Sequence, residues 1–186
     1  MVICNLSHSE LPLHDGKKLD KTILIIEELF KNNRIALSST IKKAHLVKKL
    51  IDKASYFIQK NISEVCPSCE NVCCINYHAY HDYEDIVYMY AIGLKLPDYK
   101  RGIKDSDPCQ FLSEHGCKIE RAVRPFRCNW YFCEPLLRHI ENGPARPYRE
   151  FINIFHEIID IRSEMLKEFF SGEFYLDSAS QTHSQG

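Results

Sequence analysis

The cysteines are the residues whose number and spacing point most directly to chemistry. The chain has nine of them in 186 residues, and eight lie between residues 66 and 133. The first four form the segment C-x2-C-x3-C-C, and the other four follow singly. In chain order the eight are Cys66, Cys69, Cys73, Cys74, Cys109, Cys117, Cys128 and Cys133. Soft thiolate ligands suit zinc and iron–sulfur clusters, so this constellation predicts a metal centre in which all eight are candidate ligands.

The spacing within the first group limits how it can bind. The chain can curl between Cys66 and Cys69 so that both sulfurs meet one ion, and Pro67 stiffens that turn. The adjacent Cys73 and Cys74 are different, because neighbouring side chains usually diverge. They could serve two metals or two irons of one cluster, or one of them could simply pack. Eight thiolates therefore leave open two tetrahedral zinc ions, or one 4Fe–4S cluster with four thiols left over.

Three familiar metal motifs do not fit the chain. No pair of histidines follows the C-x-x-C at the distance that a zinc finger requires. A radical-initiating C-x3-C-x2-C triad that began at Cys69 and Cys73 would need a cysteine at position 76, where the chain has Asn76. The run of three C-x2-C steps found in bacterial ferredoxins is also absent.

The order of motifs around these cysteines resembles a known family, the zinc- or iron-chelating domain proteins defined by a CxxCxxCC-type cluster. In that family the cluster precedes a Pro-Cys-x-Phe-Leu-like stretch, a Gly-Cys pair and an Arg-Pro-x-x-Cys segment. Here the corresponding segments after the first cysteine group are Pro108-Cys109-Gln110-Phe111-Leu112, Gly116-Cys117 and Arg124-Pro125-Phe126-Arg127-Cys128. The resemblance covers residues 66–133, roughly a third of the chain, and implies a zinc or iron centre there.

The resemblance also bears on activity, because a flagellin lysine methylase shares this domain. It therefore implies a link to methyl transfer. The chain shows no glycine-rich strand-to-helix loop of the kind that commonly binds a nucleotide-like cofactor. Whether the protein is an enzyme stays open at this point.

Arginines gather just before the last cysteines of the constellation. Arg121, Arg124 and Arg127 precede Cys128 at three-residue intervals. Guanidinium groups there could neutralise a thiolate-rich site or hold an anionic substrate. We expect the first role and treat the three as cofactor-binding candidates.

Histidines offer further candidate ligands, since imidazole commonly binds metals. His78 and His81 follow the first cysteine group, and His115 lies beside Cys117. With thiolates so abundant, we expect ordinary hydrogen-bonding roles for the histidines.

Three carboxylates stand close together at residues 82–85. Asp82, Glu84 and Asp85 could form a proton-transfer set. A capped helix start, favoured by the helix dipole, explains them more simply.

Composition describes the class of protein around this centre. The chain is 45% apolar and 26% charged with a net charge of −1, so we expect a globular protein and no nucleic-acid partner. The sequence contains neither a secretory signal pattern nor an apolar run that approaches a membrane span. We therefore expect a cytoplasmic protein with no membrane partner, in a reducing compartment where clustered cysteines favour metals over disulfides.

The pattern of apolar residues predicts a mainly helical fold, a single domain over residues 1–186 wrapped around an irregular cysteine-rich metal-binding centre. We expect a lead-in at 1–17, helices at 18–62 with a cap at Ser38-Ser39-Thr40, the cysteine core at 63–135, a long helix at 147–171 and a disordered tail at 177–186. Within the core we expect short helices at 82–92 and from Arg124-Pro125.

The most direct functional hypothesis is a metal-binding protein that holds an iron–sulfur cluster or zinc. A cluster-dependent protein-modifying enzyme similar to the lysine methylase is the first alternative. A metal-handling or interaction protein is the second, with an unknown protein partner that could meet the lysine-rich helix at 41–61. The residues name neither a substrate nor a partner.

Overall fold

Seven α-helices account for most of the described chain. The computed structural model describes residues 16–70, 72–76, 79–100, 102–104, 106–114, 116–172 and 174. The helices are α1 (Gly16–Asn32), α2 (Ser38–Val65), α3 (Cys73–Asn76), α4 (Tyr83–Ala91), α5 (Arg127–Trp130), α6 (Glu134–Glu141) and α7 (Ala145–Ser171). The mainly helical fold predicted from the sequence is thereby confirmed. The predicted lead-in and tail lie almost wholly outside the described residues.

The helical stretch predicted at 18–62 is two helices, α1 and α2, joined by a short turn. The predicted N-cap of α2 is wrong. Leu37 occupies the cap position without a side-chain hydrogen bond, and Ser38 is already inside the helix. Leu37 is 1% exposed, so its burial in the core fixes the start of the helix where a polar cap was expected.

The short helix predicted at 82–92 is confirmed as α4, and its capping residue is the predicted one. The Asp82 side chain accepts from the Asp85 N–H at 2.8 Å, while the Asp85 carboxylate accepts from the Asp82 N–H at 3.2 Å. This reciprocal pair is a capping box. The helix ends before Gly93, whose φ of 77° is the left-handed conformation that glycine adopts readily.

The long helix α7 packs against α2 to form the main layer of the core. Lys43, early in α2, reaches Glu168 late in α7, at 2.8 Å. At the other end Phe57 stacks on Phe151 with ring centroids 4.6 Å apart. The two helices are therefore antiparallel. The long helix predicted at 147–171 is confirmed as α7, and the apolar residues at helical spacing along it are buried or packed against the core: Phe151, Phe155, Ile158, Ile161, Met165 and Phe169.

The cysteine-rich segment between α2 and α6 is largely irregular. It contains 3₁₀ turns at Cys66–Ser68 and Arg121–Val123, and a two-stranded antiparallel hairpin of β1 (Leu112–Ser113) and β2 (Gly116–Cys117). The helix expected from Arg124-Pro125 begins later, at Arg127, because Arg124 takes an extended conformation. Helix α6 follows Cys133 without having been predicted, and it packs on α2 through a 3.0 Å contact between His139 and Glu64.

Membrane-spanning capacity can be judged for the described helices. None of them is long and apolar enough to cross a bilayer.

Candidate metal centre

Local turns gather the first cysteine group at the end of α2. The helix runs into the 3₁₀ turn that begins at Cys66, and Pro67 occupies the start of that turn. The Cys69 N–H donates to the Cys66 carbonyl at 3.2 Å, which brings the two residues onto one turn, as the C-x-x-C spacing predicts. Cys73 and Cys74 then open α3.

The later cysteines return to this region through backbone hydrogen bonds. The Cys109 N–H donates to the Cys74 carbonyl at 2.8 Å, and the hairpin places Cys117 opposite Leu112. Gly116, with φ of 98°, makes the tight turn of this hairpin possible. Cys133 stands at the N-cap of α6. All eight described cysteines are free thiols.

Four thiols form a first set, in which Cys66 lies near Cys69 and Cys133, and Cys73 also lies near Cys133. We call it the Cys66 set, and its members are Cys66, Cys69, Cys73 and Cys133. Burial, then the charges of Cys133 and Cys69, raise the pKa of Cys66. Burial also raises the pKa of Cys73 to about 11, and the Cys133 charge and a hydrogen bond from the Cys73 thiol to the Cys133 side chain add to the rise. These thiols are half-buried.

The other four thiols form a second set, in which Cys128 lies near the remaining three. We call it the Cys128 set, and its members are Cys74, Cys109, Cys117 and Cys128. Burial raises the pKa of Cys128 to about 12, and the nearby Cys74, Cys117 and Cys109 add to the rise. Cys74 is exposed, yet its surroundings remove enough water from the thiol to raise its pKa, with Cys109 and Cys117 next in effect. The two sets are adjacent, since Cys66 is also a neighbour of Cys74.

Arg121 is the charged residue most deeply placed beside the Cys128 set. It is 6% exposed, and its Nη1 donates to the Cys128 carbonyl at 3.2 Å. Within the described part of the chain, its Nε and Nη2 have no hydrogen-bond partner. Burial, and next the Arg124 charge, lower the pKa of Arg121 to about 10, while the Cys128, Cys117 and Cys74 thiolates oppose that change. Two buried nitrogens of one guanidinium thus lack partners close to three thiols, whose ionised forms would favour its charge.

The other two candidate arginines occupy different environments. Arg124 donates from Nε to the Ile119 carbonyl at 2.9 Å, and its charge opposes part of the burial-driven rise in the pKa of Cys74 and Cys128. Arg127 is exposed, and its guanidinium lies 5.6 Å from the centre of the Tyr131 ring. The structure therefore brings Arg121 and Arg124 to the thiols and places Arg127 at the surface.

Asn129 is a buried polar residue that sequence reasoning missed. It is 2% exposed, and neither atom of its side-chain amide has a hydrogen-bond partner among the described residues. A buried amide without partners is costly, so Asn129 adds an unsatisfied polar group directly after Cys128. No feature of the sequence other than its position beside Cys128 could have indicated it.

His81 has the hydrogen-bonding role expected for it. Its Nε2 lies 2.9 Å from the Val123 carbonyl, and its Nδ1 contacts the Tyr99 hydroxyl. Burial lowers its pKa to about 4, so the ring is neutral near pH 7. With both nitrogens engaged, His81 is not a metal ligand in this arrangement. His78 and His115 lie outside the described residues.

The carboxylates at 82–85 form the predicted helix start, and they also bind an unpredicted cation. Arg162 of α7 donates from Nη1 to Glu84 at 2.7 Å and from Nη2 to Asp85 at 3.1 Å. Asp85 also accepts from the Phe126 N–H at 3.2 Å. This network ties α4 and α7 to the segment that leads into Cys128.

The thiols are neighbours without forming a closed ligand shell. Among the described residues, no three Cys, His, Asp or Glu side chains are placed so that they could hold one metal ion. A metal would have to draw sulfurs together by side-chain rotation.

Comparison with known proteins adds no analogue. No family model, no curated protein and no solved structure matches this chain. The candidate centre is therefore supported by its own residues and geometry.

Proposed function

We propose that this protein binds a metal, as a 4Fe–4S cluster or as zinc, through the cysteines of the two sets. The observation that carries the proposal is the placement of Arg121. A buried guanidinium with two unpartnered donors is costly beside neutral thiols. Beside thiolates that bind a metal, the same donors would face a net negative charge. The donor set fits soft metals, and the residues that would hold the metal are the cysteines.

The division of the thiols supports more than one way of filling the centre. Cys73 and Cys74 are adjacent in the chain, but among the cysteines Cys133 acts most strongly on the pKa of the first, and Cys109 and Cys117 on that of the second. Four thiols in each set suit two tetrahedral zinc ions. One 4Fe–4S cluster would use a single set, and the Cys128 set is favoured because Arg121 and Arg124 lie there.

A chemical analysis of protein purified without oxygen tests the proposal. We expect either about four irons and four acid-labile sulfides per chain with a broad brown absorption, or about one to two zinc ions without sulfide. Cys128→Ser should remove metal, and Cys4→Ser is the matched control, since Cys4 lies outside the constellation. Wild-type protein without either metal, or Cys128→Ser with full metal content, would contradict the proposal.

The role of Arg121 has its own test in the same preparation. Arg121→Leu removes the charge, so we expect metal content to fall, whereas Arg121→Lys keeps a cation and should retain more of it. Circular dichroism of both variants separates loss of metal from loss of fold. If folded Arg121→Leu keeps the wild-type metal content, the buried guanidinium does not serve the metal.

A further inference from the structure

An open cleft of about 690 Å³ lies along α7, on the side away from α2. The Phe126 turn and Glu84, at the start of α4, form its other wall. Along α7 the lining residues recur at helical spacing, so one stripe of the helix faces the cleft. The volume falls in the range of sites for small organic ligands. This cleft is separate from the thiols and from the three arginines predicted to accompany them.

The surface of the cleft that would contact the body of a ligand is apolar. Its lining includes Phe126, Ile159, Leu166 and Phe170. Ile159 is 43% exposed, so part of this surface is accessible to solvent. An apolar ligand body would remove it from water, which favours binding in proportion to the area covered.

At one end of the cleft the acidic groups outnumber the single cation. Arg162 binds Glu84 and Asp85, and its guanidinium carbon lies 4.4 Å from the centre of the Phe126 ring. Asp82 adds a further carboxylate 3.9 Å from Arg162. Three carboxylates around one arginine would repel an anion at this end, so an anionic group would bind elsewhere in the cleft.

Two donors at the other side of the cleft have no partners among the residues that the structure describes. Lys167 is exposed at the mouth, and Ser163 is half-buried one turn earlier. Ser171, which also lines the cleft, donates instead to the Glu168 carbonyl at 3.3 Å. An ammonium and a hydroxyl together suit a carboxylate.

We propose that the cleft binds a small organic acid with an apolar body. Its carboxylate would face Lys167 and Ser163, and its body would lie on Phe126 and Phe170. This inference goes beyond metal binding and does not depend on it, because no lining residue of the cleft is a candidate metal ligand.

Three probes of equal chain length test the proposal by calorimetric titration of the full chain as purified: octanoate, octanol and octylamine. We expect octanoate to bind most tightly and octylamine least. Lys167→Gln should weaken octanoate binding by about two- to fivefold, the usual range for a partly exposed ion pair, and leave octanol binding unchanged. Lys49→Gln, an exposed lysine of α2, is the matched control and should bind octanoate like the wild type.

A second variant tests where the probes bind. Ser163→Leu fills the cleft and should weaken all three probes, while circular dichroism and metal content stay at wild-type values. Preference for octylamine, an unchanged octanoate affinity in Lys167→Gln, or no saturable binding of octanoate would each overturn the proposal. None of these results bears on metal content, so failure here is distinguishable from failure of the proposed metal function.

Discussion

His81 should make the stability of the fold depend on pH within a window set by its own burial. The ring is 1% exposed, its Nε2 lies 2.9 Å from the Val123 carbonyl, and the Tyr99 hydroxyl contacts Nδ1. Because a carbonyl can only accept, Nε2 carries the hydrogen, and Tyr99 donates to Nδ1. A second proton on the ring would displace the Tyr99 donor and place a charge in the core.

The sign and size of this pH dependence follow from the pKa of His81 in the folded and in the unfolded chain. Burial lowers the pKa of His81 from its ordinary value of 6.5 to about 4 in the folded protein. Between these values the unfolded chain takes up a proton that the folded chain does not. The contribution of His81 to stability is therefore complete above pH 6.5 and is lost as the pH falls toward 4. Each pH unit changes the free energy of unfolding by at most about 1.4 kcal/mol, or roughly 3 kcal/mol over the window.

Urea unfolding at a series of pH values between 8 and 4.5 measures this effect. Three proteins are compared: wild type, His81→Gln and His45→Gln. At pH 8 we expect His81→Gln to be less stable by about 1–3 kcal/mol, because buried hydrogen-bonding groups lose their partner. The difference in free energy of unfolding between wild type and His81→Gln should shrink as the pH falls. Protonation of His81 in the unfolded chain destabilises the wild type, and the variant has no such group. Exposed His45 is the control and should follow the wild type. If the proposed metal is bound, its loss at low pH would affect all three proteins and cancel in the differences.

Two results would refute this reasoning. The first is a gap between wild type and His81→Gln that stays constant with pH. The second is a nuclear magnetic resonance titration of the His81 ring in the folded protein with a midpoint near 6.5. Either result would mean that burial does not keep the ring neutral.

Three further perturbations test the framework around the centre. Arg162→Leu leaves Asp85, which is 3% exposed, without its cation, and we expect a loss of about 3–5 kcal/mol in urea unfolding; a loss below 1 kcal/mol would contradict the role of this pair. Phe151→Ala removes a ring that stacks on Phe57 and should cost about 3–5 kcal/mol, whereas Tyr56→Ala, at a side chain 79% exposed, should stay within about 0.5 kcal/mol. If the proposed metal supports the fold, chelation should lower the melting temperature and added metal should restore it; an unchanged temperature would mean that the metal has no structural role.

Local patterns in the sequence located the longer helices and α4, but they did not indicate α6. The capping box of α4 needs only residues three positions apart, so Asp82 and Asp85 were sufficient to locate it. The apolar spacing from Phe151 to Phe169 located α7 in the same way. The start of α2 was misplaced because burial of Leu37 is a tertiary effect that no local pattern shows.

Contacts between distant residues could not be predicted, and they shape the candidate site. Arg162 and Asp85 are 77 residues apart, and no pattern in either segment predicts their contact. The same holds for the contact between Cys73 and Cys133. The sequence indicated that the side chains of the adjacent Cys73 and Cys74 would diverge. Which thiols they meet depends on the path by which the irregular segments bring the later cysteines back to them, and residue types alone do not determine that path.

These distant contacts converge on one segment, which explains how a mainly helical framework can support an irregular centre. His81 binds the Val123 carbonyl, Asp85 binds the Phe126 N–H, and Arg121 binds the Cys128 carbonyl. Residues 121–128 are thus held by side chains from α4, its preceding loop and the segment itself. Positions fixed in this way need little further ordering when a ligand binds, because their conformational entropy is already lost. In the Cys66 set, by contrast, Cys69 is held by a turn hydrogen bond within its own segment. The backbone around Cys128 is therefore the part of the candidate centre that the fold orders in advance, and the buried Arg121 lies beside it.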